Sequence, residues 1–223
     1  MTPHSALQEL LNSRFSCRAF RKDPVPRDVI EQVLRDAGRA PSWCNAQPWK
    51  VIVASGAQTD AFRDTMASAF DAGKPAPDYP FPSTYTGAHL QRRRTCGMQL
   101  YEAVGIGRGD REGRAAQMRE NYTLFGAPHV AVITCPEELG PYGVLDCGGF
   151  ITAFCLSAQA QGLGTVPQAA LSLFSDAVRA QFAIPDDRKV LAAISFGYPD
   201  DQADINQFRT DRAELDEFVE WKD

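Results

Sequence analysis

The sequence predicts a single α+β domain spanning residues 1–223, with helices packed around a mostly antiparallel or mixed sheet. Three observations carry this. Runs at 49–55 (WKVIVAS), 128–135 (PHVAVITC) and 189–197 (KVLAAISFG) are short and largely apolar and read as strands. Segments with apolar residues at helical spacing precede the first of them, and further helical segments lie between. One segment, 144–161 (VLDCGGFITAFCLSAQAQ), is small or apolar on nearly every side, the composition of a helix buried all round. With 223 residues, 44% of them hydrophobic, the chain is long enough to bury a sizeable core without disulfides or metal.

Taken in order, residues 5–13 place Leu7, Leu10 and Leu11 on one helical face. A second helix follows from Pro26, which suits a first helical turn. Val29, Ile30, Val33, Leu34 and Ala37 line its inner face, and Gly38 and Pro41 end it. Strand 49–55 leads into a helix at 56–73. Residues 74–88 carry four prolines and three aromatics, which predicts an irregular loop. Residues 89–121 read as two helical pieces broken near GIGRGD, so that 74–120 forms an insertion or lid. After strand 128–135 and the apolar helix, GLGTVPQAA turns out toward strand 189–197. The tail is mostly polar, with Phe208, Leu215, Phe218 and Trp221 as anchors.

Composition narrows the function. The net charge is −5 with no basic stripe, so the footprint of a nucleic-acid binder is missing. No apolar run approaches the ~18 residues of a membrane span, and the N-terminus has no apolar core of signal-peptide length. The six cysteines, 17, 44, 96, 135, 147 and 155, form no C-x-x-C and read as reduced thiols of a cytoplasmic protein. His4, His89 and His129 share no ligand spacing, so no metal site is expected. His129, at a strand start, reads as a core or edge histidine. GIGRGD lacks the preceding strand and third glycine of a dinucleotide fold.

Four stretches can carry chemistry. In SRFSCRAF, Arg14 and Arg18 flank Ser16: either two solvated cations and a turn serine, or an anion site, since two guanidiniums and a hydroxyl can surround a phosphate. In APSWCNAQPW, Asn45 and Gln47 stand in a proline-bracketed loop. It is either a plain helix-to-strand connection or a pair of amides matching the edge of a planar heterocycle. In FRTDRAEL, Arg209 and Arg212 are a surface pair or the far wall of a phosphate cage. GTVPQAA offers backbone N–H groups and Gln168.

Together and in this order, these stretches resemble the nitroreductase family of FMN-dependent oxidoreductases, and the resemblance covers most of the chain. It implies the nitroreductase-type sandwich, built as an intertwined homodimer. It also implies FMN as cofactor, with Arg14 at the phosphate, Phe15 backbone nearby, Ser16 against the flavin or ribityl chain, and Arg18 at the N1–C2=O edge of the ring. Asn45 and Gln47 would face the flavin, from the other subunit or beneath it. Pro167, Gln168 and Ala169 would lie beside the ring and supply a backbone donor toward N5. Arg209 and Arg212 would return to the phosphate, and Asn121 would meet the pyrimidine edge.

The expected activity is ping-pong hydride transfer from NAD(P)H to nitroaromatic or quinone-type acceptors, with the chemistry on the flavin and no catalytic dyad in the protein. Tyr79, Phe81 and Tyr85 in loop 74–88 are candidates to stack on a small aromatic substrate, or simply pack the loop down. The run QRRR at 91–94 forms a solvated face, or attracts an anionic substrate or the NADPH phosphate. The alternatives are a dehalogenase or a dehydrogenase or oxidase of the same fold, or a non-catalytic flavin-binding protein. Loop 74–88 has Tyr79, Tyr85 and Lys74 but no Glu, which weighs against the dehalogenase.

Overall fold

Strand β2 (His129–Pro136) is buried along nearly its whole length, because it lies inside the sheet and is covered on both faces. The computed structural model describes residues 2–222. Its sheet has four antiparallel strands in the order β1 (Lys50–Ser55), β2, β4 (Arg188–Gly197) and β3 (Gly164–Gln168). Alternation on β2 divides the core. Ala131, Ile133 and Cys135 pack with Phe150 and Phe154, while Val130 and Val132 pack with Phe62, Met66 and Phe174 on the opposite face.

Helices α2 (Arg27–Ala37) and α6 (Gly140–Ala160) cover the first face; α3 (Ala57–Ala72) and α7 (Ser175–Phe182) cover the second. Burying each large apolar side chain stabilises this sandwich by roughly 1.5–3 kcal/mol. Helix α1 (Pro3–Ser13) starts at a capping box between Thr2 and Ser5. Helices α4 (Gly87–Ala103) and α5 (Arg111–Arg119) follow loop 74–86 and are separated by a turn at Gly105 with φ +70°.

Three expectations are corrected. GTVPQ is a strand, β3, not a turn. A proline is tolerated there because β3 pairs with only one full strand, β4, at the sheet edge. Pro26 caps α2 from outside rather than occupying its first turn. Helix α6 is buried on one side only: Gly143, Cys147, Phe150, Phe154 and Ala158 face inward, while Tyr142, Leu145, Gly149 and Thr152 are exposed. With the turn before it, Glu137–Ala160 is long and apolar enough by composition to cross a membrane, which the sequence reading missed. Its inner face nevertheless belongs to the core. It approaches β2 so closely that a Cβ at Gly143 would meet Cys135 Sγ at 2.7 Å.

Two devices fix the loops near the sheet ends. Arg188 donates from Nε to Thr134 Oγ1 and from Nη2 to the carbonyls of Thr134 and Pro48, each at 2.9 Å. It thereby holds the end of loop 40–48 against β2 where its register with β4 shifts, between Ile133 and Thr134. Arg179 grips Asp78 with two bonds from Nη2, at 2.9 and 2.8 Å, and Asp78 also accepts from the Val190 N–H at 2.7 Å. The first residues of loop 74–86 are therefore anchored to the sheet.

Candidate functional site

After α1 the chain runs extended beside β3. Ser16 bridges Thr165, and the Cys17 N–H donates to the Thr165 carbonyl at 2.9 Å. This approach requires Gly164, where a Cβ would meet Cys17 Sγ at 2.7 Å. Cys17 points inward. Burial pushes its thiol up to about 12, and it donates to the Ala19 carbonyl at 3.1 Å, so it is unreactive. In an extended segment, residues two apart share a side. Arg14, Ser16 and Arg18 accordingly reach the same cavity.

The C-terminal tail closes that cavity. Beyond β4, the Arg21 N–H donates to the Tyr198 carbonyl and the Asp200 N–H to the Ala19 carbonyl, at 2.9 and 3.0 Å. A short turn at Asp204–Asn206 then presents the tail arginines. Arg209 donates to the carbonyls of Asn206 and Phe208 at 2.7 and 2.9 Å, and its guanidinium lies over the Phe15 ring. Arg212 donates to Thr210.

The resulting cavity, about 230 Å³, is lined by Arg14, Phe15, Ser16, Arg18, Phe208, Arg209, Thr210 and Arg212, with Cys96 of α4 and Leu11 and Asn12 of α1. Four arginines line it and no carboxylate does. Among the described residues none of the four forms an ion pair. Burial pulls the Arg18 pKa down, the mark of a partly dehydrated cation without a carboxylate partner. Converging like charges repel, and an anion placed among them is stabilised by each.

The other predicted residues lie outside this cavity. Pro167 and Ala169 are exposed at the end of β3, on the strand whose beginning pairs with Ser16. The Gln168 side chain is buried and fully engaged: Oε1 accepts from Ser195 Oγ at 2.6 Å and Nε2 donates to the Asn121 carbonyl at 2.7 Å. The Asn121 amide donates to the Met118 carbonyl at 3.1 Å. Asn45 and Gln47 are exposed on the loop before β1, with φ of +57° and +48°, beside Cys44 at +49°. This left-handed backbone costs about 1–2 kcal/mol per residue. It is held by bonds from the Trp43 N–H to Asp146 Oδ2 at 3.1 Å and from the Gln47 N–H to Ser42 Oγ at 3.0 Å.

Tyr79, following the anchored Asp78, lines a different cavity with Glu137, Pro141, Val144 and Lys189. Phe81 and Tyr85 are exposed, and Arg93 stacks on Tyr85. The three aromatics do not meet the arginine cavity of the same chain. The sequence reading singled out neither Cys96 nor Asn206. Cys96 brings α4 to the cavity wall. Asn206, only 2% exposed, bonds to the backbone of Arg18 and Ala19. Its nearness to FRTDR in sequence was the available signal.

A model of the nitroreductase family matches residues 11–198, from the arginine–serine–arginine segment to the end of the sheet. The chain belongs to the nitroreductase family. It is similar over nearly its full length to nitroreductase NfnB of Mycolicibacterium smegmatis, with 37% identity covering 95% of this chain and 91% of that one. A 4-nitrobenzoate reductase of a Nocardioides species is 33% identical, covering 96% and 89%. The crystal structure of the FMN-dependent nitroreductase NfnB from Mycobacterium smegmatis in complex with NADPH superposes with a TM-score of 0.95 over 100% of both chains, at 35% identity. The nitroreductase fold expected from the sequence is thus borne out.

Proposed function

We infer that this chain is an FMN-dependent NAD(P)H oxidoreductase that reduces nitroaromatic or quinone-type acceptors. The carrying observation is the cavity with four arginines, a serine and no carboxylate, formed by both ends of the chain. Its chemistry fits a phosphate monoester. Its volume falls below the ~300 Å³ at which small-molecule pockets begin, which suits the phosphate end of FMN and leaves the ring to be walled from elsewhere.

In this reading Arg14, Arg209 and Arg212 hold the phosphate dianion and Ser16 donates to the same end of the cofactor. Bound FMN supplies two-electron chemistry, with NAD(P)H and the acceptor using one position in turn. Arg18, partly dehydrated, provides fixed positive charge where negative charge develops on reduction, and such preorganised charge needs no reorganisation during the reaction. Pro167 to Ala169 present backbone beside the ring. Their position is held by the buried amide of Gln168 rather than by a cofactor contact of its side chain.

The rest of the site is proposed to come from a second copy. Exposed Tyr142, Leu145, Gly149 and Thr152 form a continuous face on α6, and Trp43 packs against Tyr142 with the rings tilted and their centroids 5.6 Å apart. A homodimer covering this face would bury α6 as its composition predicts and carry Asn45 and Gln47 toward the partner's cavity. The insertion 74–120 then acts as a lid, with α4 already at the cavity wall. Tyr79, Phe81 and Tyr85 would contact an aromatic substrate only in such an assembly. The cysteines are all free thiols, which suits the cytoplasm.

The test is direct. The purified protein should take up FMN, show the flavin absorbance band, bleach anaerobically on addition of NADPH and recover its colour with a nitroaromatic. A protein that binds FMN but is inert to NADPH and NADH is a flavin binder, and one that takes up no FMN overturns the reading altogether.

A further inference from the structure

We propose that Asn206 is a positioning residue: one carboxamide latches the C-terminal tail to the N-terminal arginine segment and so sets Arg18 and Arg209 together. The proposal rests on the FMN reading above and extends it to a residue outside the cavity lining.

The geometry is specific. Asn206 Oδ1 accepts from the Arg18 N–H at 2.8 Å. Nδ2 donates to the carbonyls of Ala19 and Asp200, at 2.8 and 2.9 Å. The backbone is equally engaged: the N–H donates to the Ala203 carbonyl at 2.9 Å, and the carbonyl accepts from Arg209 Nη1 at 2.7 Å. The side chain therefore fixes the peptide that carries Arg18, and the main chain of the same residue fixes the guanidinium of Arg209. Arg18 lies 5.8 Å from the Phe208 ring and Arg209 4.0 Å from the Phe15 ring, so each segment also places an aromatic under the other's cation.

Only a carboxamide supplies two donors and an acceptor in this arrangement. Aspartate keeps the acceptor for Arg18 but turns a carboxylate toward two carbonyls; serine keeps neither reach nor count. At 2% exposure water does not compensate for the lost partners. Loosening the latch should let Arg18 and Arg209 drift together, whereas deleting Arg209 alone removes one cation and leaves the Arg18 peptide in place.

The experiment uses the full-length protein, apo and FMN-loaded. FMN and inorganic phosphate are titrated into wild type, Asn206→Asp, Asn206→Ser and Arg209→Ala by calorimetry, and the midpoint potential of each loaded protein is measured. Both Asn206 variants should weaken FMN binding roughly 10–100-fold and move the potential to more negative values. Arg209→Ala should weaken binding with the potential unmoved. A lower melting temperature with wild-type affinity and wild-type potential would make Asn206 merely structural and overturn the proposal.

If neither variant folds, hydrogen exchange on the wild type decides. Adding FMN, or phosphate alone, should protect the Arg18 amide and those of residues 203–210 in parallel; protection of the tail without Arg18 would refute the latch. Failure of the functional reading looks different: the wild type itself then takes up no FMN. Loss of phosphate binding in the Asn206 variants would still support the latch, and unchanged phosphate binding would sink it.

Discussion

The guanidinium of Arg209 lies 4.0 Å from the ring centroid of Phe15, joining residues from opposite ends of the chain. The ring keeps an otherwise exposed cation over the cavity. Arg209→Ala should raise the FMN dissociation constant roughly 10–100-fold, the value of a lost charge-assisted bond. Phe15→Leu should raise it about two- to fivefold, since an exposed cation–π contact contributes about 0.5–1 kcal/mol. Fluorescence titration of the apoprotein measures both, and the order of the two effects is the prediction.

Arg18 is assigned a different task from the other three arginines. Arg18→Ala should lower the flavin midpoint potential and slow reduction by NADPH, with a smaller effect on binding; Arg18→Lys should recover part of both. Stopped-flow bleaching at the normal rate in Arg18→Ala would remove Arg18 from the ring edge.

The Arg179–Asp78 pair has side chains only 18% and 12% exposed. Arg179→Met leaves the Asp78 carboxylate half-dry and without its cation, and should destabilise the protein by about 3–5 kcal/mol. The start of loop 74–86 should also come free of the sheet and become sensitive to proteolysis. Urea denaturation and a timed protease digest report the two effects.

His129 predicts an acid sensitivity. Its Nε2 accepts from the Val25 N–H at 2.8 Å, so the ring proton sits on Nδ1, facing Ser55 Oγ at 2.7 Å. A second proton would set N–H against N–H, and burial already pulls the pKa below its ordinary value. The unfolded state then binds more protons than the folded one between the depressed value and about 6.5. The His129 contribution is fully present above about pH 6.5 and is lost as pH falls through the folded value. The urea midpoint of the wild type should fall more steeply from about pH 7.5 to about pH 5 than that of the non-titrating His129→Gln.

Leu145 stands 69% exposed at the middle of the outer face of α6. Leu145→Arg places a charge where the second copy is proposed to sit. Light scattering should find a monomer, and FMN affinity should fall although residue 145 does not line the cavity. A dimeric, fully FMN-competent Leu145→Arg protein would remove that face from the interface.

Much of this was legible in the sequence because it is local. The short apolar runs of β1, β2 and β4 announced themselves, and Arg14, Ser16 and Arg18 share a face through the simple two-residue period of an extended segment. Strand β3 was hidden by its brevity and its proline, which only an edge position permits. The fate of Tyr79 could not be read, because it is decided by Arg179 gripping Asp78 from 101 positions away. Helix α6 was read as buried all round since composition records the whole surface a residue is built for, including any that a second molecule covers. The role of Asn206 depends on a fold-back that no local pattern encodes.

The bond between Arg18 and Asn206 spans 188 positions. During synthesis the four strands can therefore pair and the core can close before the segment after β4 emerges, when the arginine-lined cavity has only half its cations. A polypeptide stopped just after β4 would keep Arg14, Ser16 and Arg18 but lack Asn206, Arg209 and Arg212, so the two halves of the cavity's positive charge are made at well-separated times.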